Sequence, residues 1–365
     1  MFHKPRVMSL IMGLLISFLS LPASAQEADR TLSQVINDAI SPLTDIVSQF
    51  IFYPIPLGWL IEGAPGIPII VVWLFAGALF FTIYMGFVNF RGLKQSLRIV
   101  SGRYDDPDDP GEVTHFQALT AALSGTVGLG NIAGVAVAVS VGGPGATFWM
   151  IMAGLFSMTS KFTECTLGLK YREIDEDGVV SGGPMYYLSK GLAGLGMPNF
   201  GKVLAILFAL LCIGGAFGAG NMFQVNQSAT QFTNVLSELT GGVDSVFYGR
   251  PWIFGGVFAV LVGLVIIGGI RQITHVTEFL VPLMAAIYVG SALVILGAHI
   301  ADIPDAFGLI IDGALTGAGV TGGIIGVLIQ GLRRATFSNE AGVGSAAIAH
   351  SAAKTREPIA EGLVA

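Results

Sequence analysis

The sequence predicts an all-α polytopic membrane protein with helices broken at mid-membrane, and three observations carry that prediction. Mean hydropathy is +0.74, with 53% hydrophobic and 12% charged residues. That is about half the charge of a typical soluble domain, too little to cover a soluble surface of 365 residues. The 50 glycines suit helices that cross closely in lipid, where small residues let backbones approach. Residues 116–140, FQALTAALSGTVGLGNIAGVAVAVS, are apolar and long enough to span a bilayer, yet Gly125, Gly128, Gly130 and Gly134 interrupt them. A glycine costs about 1 kcal/mol against alanine inside a helix. Non-helical backbone survives at membrane depth only where protein buries it or it lines a cavity.

The chain opens with an address. Residues 1–25 carry a basic start (His3, Lys4, Arg6), an apolar run from Met8 to Leu21, and Ala23-Ser24-Ala25 before Gln26. The apolar run is about 14 residues, short for a span, so this reads as a bacterial secretory signal peptide rather than an uncleaved anchor. Cleavage puts the mature N-terminus in the periplasm. Residues 26–67 read as an amphipathic periplasmic segment lying along the interface, and residues 68–365 as the transmembrane domain.

Candidate spans follow near 68–88, 116–140, 145–168, 202–222, 252–270, 279–298 and 322–350. From an outside N-terminus, the first, third, fifth and seventh spans end in the cytoplasm. Those ends carry Arg91, Lys94, Arg98 and Arg103, then Lys170 and Arg172, then Arg271, then Lys354 and Arg356. The outer connections are poor in Lys and Arg, so the charge bias fits a multi-pass protein of the bacterial inner membrane. Two acidic clusters, Asp105–Asp109 with Glu112 and Glu173–Asp177, fall in cytoplasmic loops. Neither has EF-hand spacing, and both read as solvated. Cys165 and Cys212 read as small core residues.

A second polar, glycine-broken stretch, TFSNEAGVGSAAIAH, occupies residues 336–350, where Gly342-Val343-Gly344 echoes Gly128-Leu129-Gly130. The two would run in opposite directions. Paired interruptions in corresponding halves point to the binding site of an inverted-repeat transporter.

The run SGTVGLGNIAGVAVAVSVGGPGATFWMIMAGLFSMTSKFTECTLGLKYRE, with SGGPMYYL at 181–188, GAGNMFQVN at 218–226 and RRATFSNEAGVGSAAIAH at 333–350, resembles the alanine or glycine:cation symporters, the sodium:alanine symporter family. The resemblance covers the chain from about residue 68 onward. Thr147 and Ile151 depart from the usual aliphatic residue and tryptophan, and both are expected on packing surfaces. The first break also resembles that of the neurotransmitter:sodium symporters, which implies a five-plus-five inverted-repeat core with broken first and sixth core helices. Members of the family continue well past Ala365. On that count the chain holds the first repeat and the opening helix of the second, and is expected to be C-terminally incomplete.

A zwitterionic amino acid needs donors for its carboxylate, acceptors for its ammonium and a small apolar pocket. Free half-helix ends supply the first two. The amides of Gly128, Leu129 and Gly130 are therefore assigned to the substrate carboxylate, with side-chain oxygens added by Thr126 and Asn131. The resemblance implies a sodium ion at the carbonyls of Ser124 and Val127, and it makes the fourth span the substrate-facing third core helix, with Phe217, Asn221 and Gln224 toward the pocket. On the residues alone, Asn221 and Gln224 read equally well as glue between helices. Ser338, Asn339 and Glu340 mark the second break, with Asn339 assigned to substrate. Ionisable groups in a span are functional candidates by default, and Glu340 either binds the cation or pairs with Arg333 or Arg334. Glu164 beside Lys161, and Glu278 beside Arg271 and His275, read as interfacial or gating charges.

These assignments imply import of a small neutral amino acid, alanine or glycine, by symport with sodium. A proton-coupled carrier or a passive channel of the same fold are the alternatives. No organic cofactor, nucleic acid or obligatory protein partner is expected beyond the lipid bilayer. The Gly128-x-Gly130-x-x-Ala133 match to a dinucleotide fingerprint lacks a preceding strand, and an enzyme is not expected.

Overall fold

The computed structural model describes residues 32–56, 66–239, 251–316 and 323–365. The expected signal peptide, residues 1–25, lies outside the described residues. The chain divides into two units, Met1–Tyr53 and Pro54–Ala365. The first holds helix α1 (Leu32–Ile51), with Pro42 inside it. Its apolar residues Ile36, Ile40, Leu43, Val47 and Phe50 recur at helical spacing and stay exposed.

The second unit begins with a two-residue antiparallel pair, β1 (Pro54–Ile55) with β2 (Ile67–Pro68). Helix α2 (Ile69–Tyr84) follows and is apolar on every side. It turns Val71, Ala78 and Thr82 inward and leaves Trp73, Phe80, Ile83 and Tyr84 exposed. Thr82 Oγ1 lies 2.8 Å from Thr159 Oγ1 on a neighbouring helix, a hydroxyl pair that satisfies both groups away from water. Short helices α3 (Val88–Arg91) and α4 (Leu93–Val100) carry the first basic cluster.

Helix α5 (His115–Thr126) starts in a capping box. Thr114 Oγ1 accepts from the Gln117 N–H at 3.2 Å, and Gln117 Oε1 accepts from the Thr114 N–H at 3.1 Å. Helix α6 (Leu129–Gly142) continues after two non-helical residues, bent by 43° from α5. The first predicted break therefore exists, at Val127–Gly128. Helix α7 (Gly145–Lys170) runs through the middle of the unit, followed by the hairpin β3 (Glu173–Ile174) and β4 (Val180–Ser181). Helix α8 (Pro184–Gly194) packs on α9 (Pro198–Gly215). A π-helical segment, Ala216–Met222, joins α9 to α10 (Phe223–Leu239) as one 42-residue rod. Helices α11 (Pro251–Ile266), α12 (Gly269–Ala298) and α13 (Ile303–Thr316) precede α14 (Gly323–Asn339), and then come α15 (Ala346–His350) and α16 (Pro358–Val364). Helix α13 falls between two expected spans and was not itself expected.

The rod and α12 are each long and apolar enough to cross a membrane, and the bent pair α5–α6 passes the same test as one broken span. Leu210, Leu211, Val260, Leu264, Val294 and Ile295 are each at least 60% exposed. Such an apolar exterior suits lipid, and the interior is filled by small residues. Ala138, Ala146 and Val327 form one buried cluster among α6, α7 and α14. A Cβ added at Gly331 would come within 2.7 Å of Trp149 Cβ, and one at Gly142 within 2.9 Å of Gln330 Cβ. Glycine is what lets α14 approach α6 and α7 this closely. Thr147 is half-buried, whereas Ile151 is exposed rather than packed.

The basic connections meet at one end. Arg172 donates to the carbonyls of Ser351, Ala353, Thr355 and Pro110 at 2.6–2.8 Å. Arg271 Nε lies 3.2 Å from Glu112 Oε2, and Arg356 Nε 3.0 Å from Asp109 Oδ1. Glu112 departs from the solvated-loop expectation: its side chain is 7% exposed and also accepts from the Val180 N–H at 2.8 Å. Burial pulls the Arg172 guanidinium below its ordinary value, against the opposing pull of Glu361 and Asp109.

Candidate functional site

The second break is present too. Helix α14 ends at Asn339, and α15 resumes at Ala346. Between them Glu340 takes a left-handed backbone with φ 52°, and Gly342 and Gly344 have φ 84° and 91°. Glycine tolerates that region freely. A glutamate there is uncommon, and such backbone tends to persist where function needs it.

The two breaks touch each other. Glu340 Oε2 accepts from Ser345 Oγ at 3.0 Å within the second break, and the Thr126 hydroxyl of the first break, which also donates to the Ala122 carbonyl at 3.1 Å, reaches it at 3.5 Å. Asn131 Nδ2, in the first turn of α6, donates to the Ser338 carbonyl at 3.3 Å. Two half-helix ends and a carboxylate thus converge. Asn339 Oδ1 accepts from the Ala341 N–H at 3.0 Å, so it shapes the second break locally. The side-chain partners seen for Glu340 are the hydroxyls of Thr126 and Ser345.

The amides at the start of α6 have side-chain acceptors. Asn131 Oδ1 accepts from the Gly128 N–H at 3.2 Å, and Gln224 Oε1 accepts from the Leu129 N–H at 3.3 Å. Gly130 is buried. Gln224 sits just after the π segment and also donates to the Ala219 carbonyl at 3.4 Å. A Cβ on Gly128 would come within 3.2 Å of Gln224 Oε1. The π turn, with one extra residue per turn, sets where Gln224 faces, and such segments recur at functional sites.

The remaining candidates make other contacts. Phe217 is 65% exposed. Asn221 lines an open groove between the π–α10 stretch and α11, with Asn226, Ala229, Gly255 and Phe258. Ser124 is exposed, and its hydroxyl donates to the Ala121 carbonyl at 2.7 Å. Val127, the C-terminal cap of α5, is half-buried and extended. Glu278 accepts from Gln117 Nε2 at 2.8 Å and lies 2.9 Å from His275 Nδ1, tying α12 to α5. Arg271 goes to Glu112 instead, since seven residues of helix separate it from Glu278.

Two groups were missed or underread. Ser345 completes the contact to Glu340, and a hydroxyl one residue past the GVG break was the available signal. Lys161 and Glu164 are buried within the helices: their side chains are 10% and 7% exposed, with Nζ 3.5 Å from Oε1. Among the described residues neither of those two atoms has a hydrogen-bond partner. Cys165, next to Glu164, is buried with Ala346 and Ala347, so this part of α7 lies against the start of α15, just past the second break.

The family model for the sodium:alanine symporter family matches residues 60–365. The chain is 42% identical over 298 residues to the sodium/alanine symporter AgcS of Methanococcus maripaludis, covering 81% of this chain and 63% of that protein. It is 36% identical over 287 residues to the amino-acid carrier protein AlsT of Bacillus subtilis, covering 78% of this chain and 57% of that protein. The chain thus spans less than two thirds of the length of these relatives. Theirs is a family of transporters, not enzymes. With its two broken helices and apolar exterior, the chain belongs to the sodium:alanine symporter family.

Proposed function

We propose that this chain forms the substrate-binding part of a secondary transporter that imports a small neutral amino acid, alanine or glycine, together with sodium. The observation that carries the reading is the contact of Glu340 with Thr126 and Ser345, which brings both breaks to one carboxylate. A carboxylate, two hydroxyls and free half-helix ends offer acceptors for an ammonium group or a small cation.

In this reading the substrate carboxylate takes the amides of Gly128, Leu129 and Gly130. It would displace Asn131 Oδ1 and Gln224 Oε1, which accept from the first two of those amides. Side-chain acceptors keep the amides satisfied between cycles, avoiding the cost of an orphaned buried N–H. Sodium is assigned to the carbonyls of Ser124 and Val127, and Glu340 supplies the negative charge that a sodium ion and an ammonium group both favour. Arg333 and Glu278 are assigned to gating, Glu278 through its contact with Gln117. The end where the basic connections gather is taken as cytoplasmic, which puts the protein in the inner membrane with its mature N-terminus in the periplasm.

Coupling is energetically adequate. One charge moved down about 100 mV releases about 2.3 kcal/mol, enough for roughly fifty-fold accumulation of a neutral solute. Labelled alanine uptake into proteoliposomes, with and without a sodium gradient, tests the proposal. Saturable uptake that collapses without sodium supports it. Uptake driven by a proton gradient alone, or flux indifferent to both ions, points to proton coupling or to a channel.

A further inference from the structure

Away from the breaks, one carboxylate joins both broken helices at their other ends. Glu361, on α16, is 0% exposed. Its Oε2 meets Nδ1 of His115, the first residue of α5. Its Oε1 lies 2.5 Å from Nδ1 of His350, the last residue of α15. Both histidines are at most 2% exposed. A carboxylate accepts, so the geometry assigns a proton to Nδ1 of each imidazole. Each oxygen is thus spent on a different broken helix.

The surroundings fix this arrangement from outside. Arg172 holds the carbonyls of Ser351, Ala353 and Thr355, and the Lys354 N–H donates to the Val113 carbonyl at 2.7 Å. The segment after His350 is therefore tied to the segment before His115, with Val113 and Ala353 forming an isolated parallel bridge. On its other side, α16 packs on α7, where Gly362 lies against Thr166 and Phe162.

We infer that Glu361 is a positioning residue for the two breaks: it clamps the outer ends of α5 and α15 into one body, so that Thr126 and Ser345 stay in register on Glu340. From His115 to Thr126 is about 17 Å of helix, and α15 is a five-residue rod, so a shift at either histidine is carried to the break. The clamp is independent of which solute binds. Its consequence for affinity rests on the proposal that the breaks hold an amino acid.

The test uses the purified full chain in detergent. In Glu361→Gln, the amide retains one acceptor oxygen and turns its NH2 to the other histidine, whose Nδ1 also carries a proton, so that contact becomes donor against donor. Hydrogen exchange is expected to rise about ten-fold or more at the amides of both Ala118–Leu123 and Ser351–Ala353. His115→Ala is expected to speed exchange in the second set as well as the first, whereas His115→Asn, whose amide N–H replaces Nδ1–H, restores both. Sodium-dependent alanine binding should weaken about ten-fold in Glu361→Gln and recover in His115→Asn relative to His115→Ala. If His115→Ala loosens α5 alone, the clamp is refuted. Normal exchange in Glu361→Gln refutes it too. Absence of alanine binding by the unaltered chain would overturn the proposed function instead, leaving the exchange arms to decide the clamp.

Discussion

The hydroxyl of Thr126 reaches the carboxylate of Glu340 across 214 positions of sequence, at 3.5 Å, and Ser345 donates to the same oxygen at 3.0 Å. One side chain therefore reads the state of both broken helices. Anything that neutralises or shortens it is expected to uncouple them.

Glu340→Gln keeps size and hydrogen bonding but removes charge. Sodium-dependent alanine binding is expected to fall at least ten-fold, about 1.4 kcal/mol, with little change in thermal stability. Glu340→Asp should fall between the two. Equal affinity in wild type and Glu340→Gln would remove the charge from the account.

Gly128 faces Gln224 with no room to spare. Gly128→Ala puts a Cβ within 3.2 Å of Gln224 Oε1, which the flexible side chain can yield to, so a modest loss of alanine affinity is expected. Gly128→Leu fills the space and blocks the amides, so binding should vanish while membrane insertion persists. Normal affinity in Gly128→Leu would mean that substrate binds elsewhere.

Lys161 and Glu164 form a buried pair at 3.5 Å. Removing one partner strands the other charge, so Lys161→Met is expected to destabilise by about 3–5 kcal/mol. The double change Lys161→Met with Glu164→Gln should recover much of that loss. Unfolding midpoints in detergent measure both, and additive losses would show that the two side chains are not coupled.

Burial pushes the Glu361 carboxyl up, but the hydrogen bonds and charges of His115 and His350 more than offset this and hold it below the ordinary value of 4.5. A folded value below the unfolded one stabilises above the unfolded value, and that contribution is lost as pH falls through the folded one. The other charges near this cluster are Asp105, Asp109 and Arg172. The unfolding temperature should therefore drop as pH falls below 4.5. Glu361→Gln should flatten that drop, and an unchanged acid slope in the variant would contradict the assignment.

Much of the architecture was legible because membrane depth leaves few choices. Apolar runs set the helices, and the glycines of 125–134 and 342–344 marked both breaks. The positions of basic residues anticipated one shared end, where Arg172, Arg271 and Arg356 meet their partners. The site was legible in part. Gln224 was singled out and reaches Leu129, while Phe217 is exposed and Asn221 lines a groove with α11; the π segment between α9 and α10, which shifts the helical phase, is contained in no period-3.6 reading. Glu340 was visible as an ionisable residue at a break, while its partners were not, since hydroxyls carry no periodic signature. The Glu361 cluster was invisible for a different reason. Its members sit at positions 115, 350 and 361, and only the tertiary fold brings them together.

The central claim is that Glu340 joins the two breaks into a sodium-dependent amino-acid site. Equilibrium binding of labelled alanine to the purified protein, titrated at several sodium concentrations in wild type and in Glu340→Gln, tests it most directly. The account predicts saturable binding whose affinity rises with sodium in the wild type, and weak, sodium-insensitive binding in the variant. Alanine affinity that ignores sodium in the wild type, or keeps its full sodium dependence in Glu340→Gln, would contradict it.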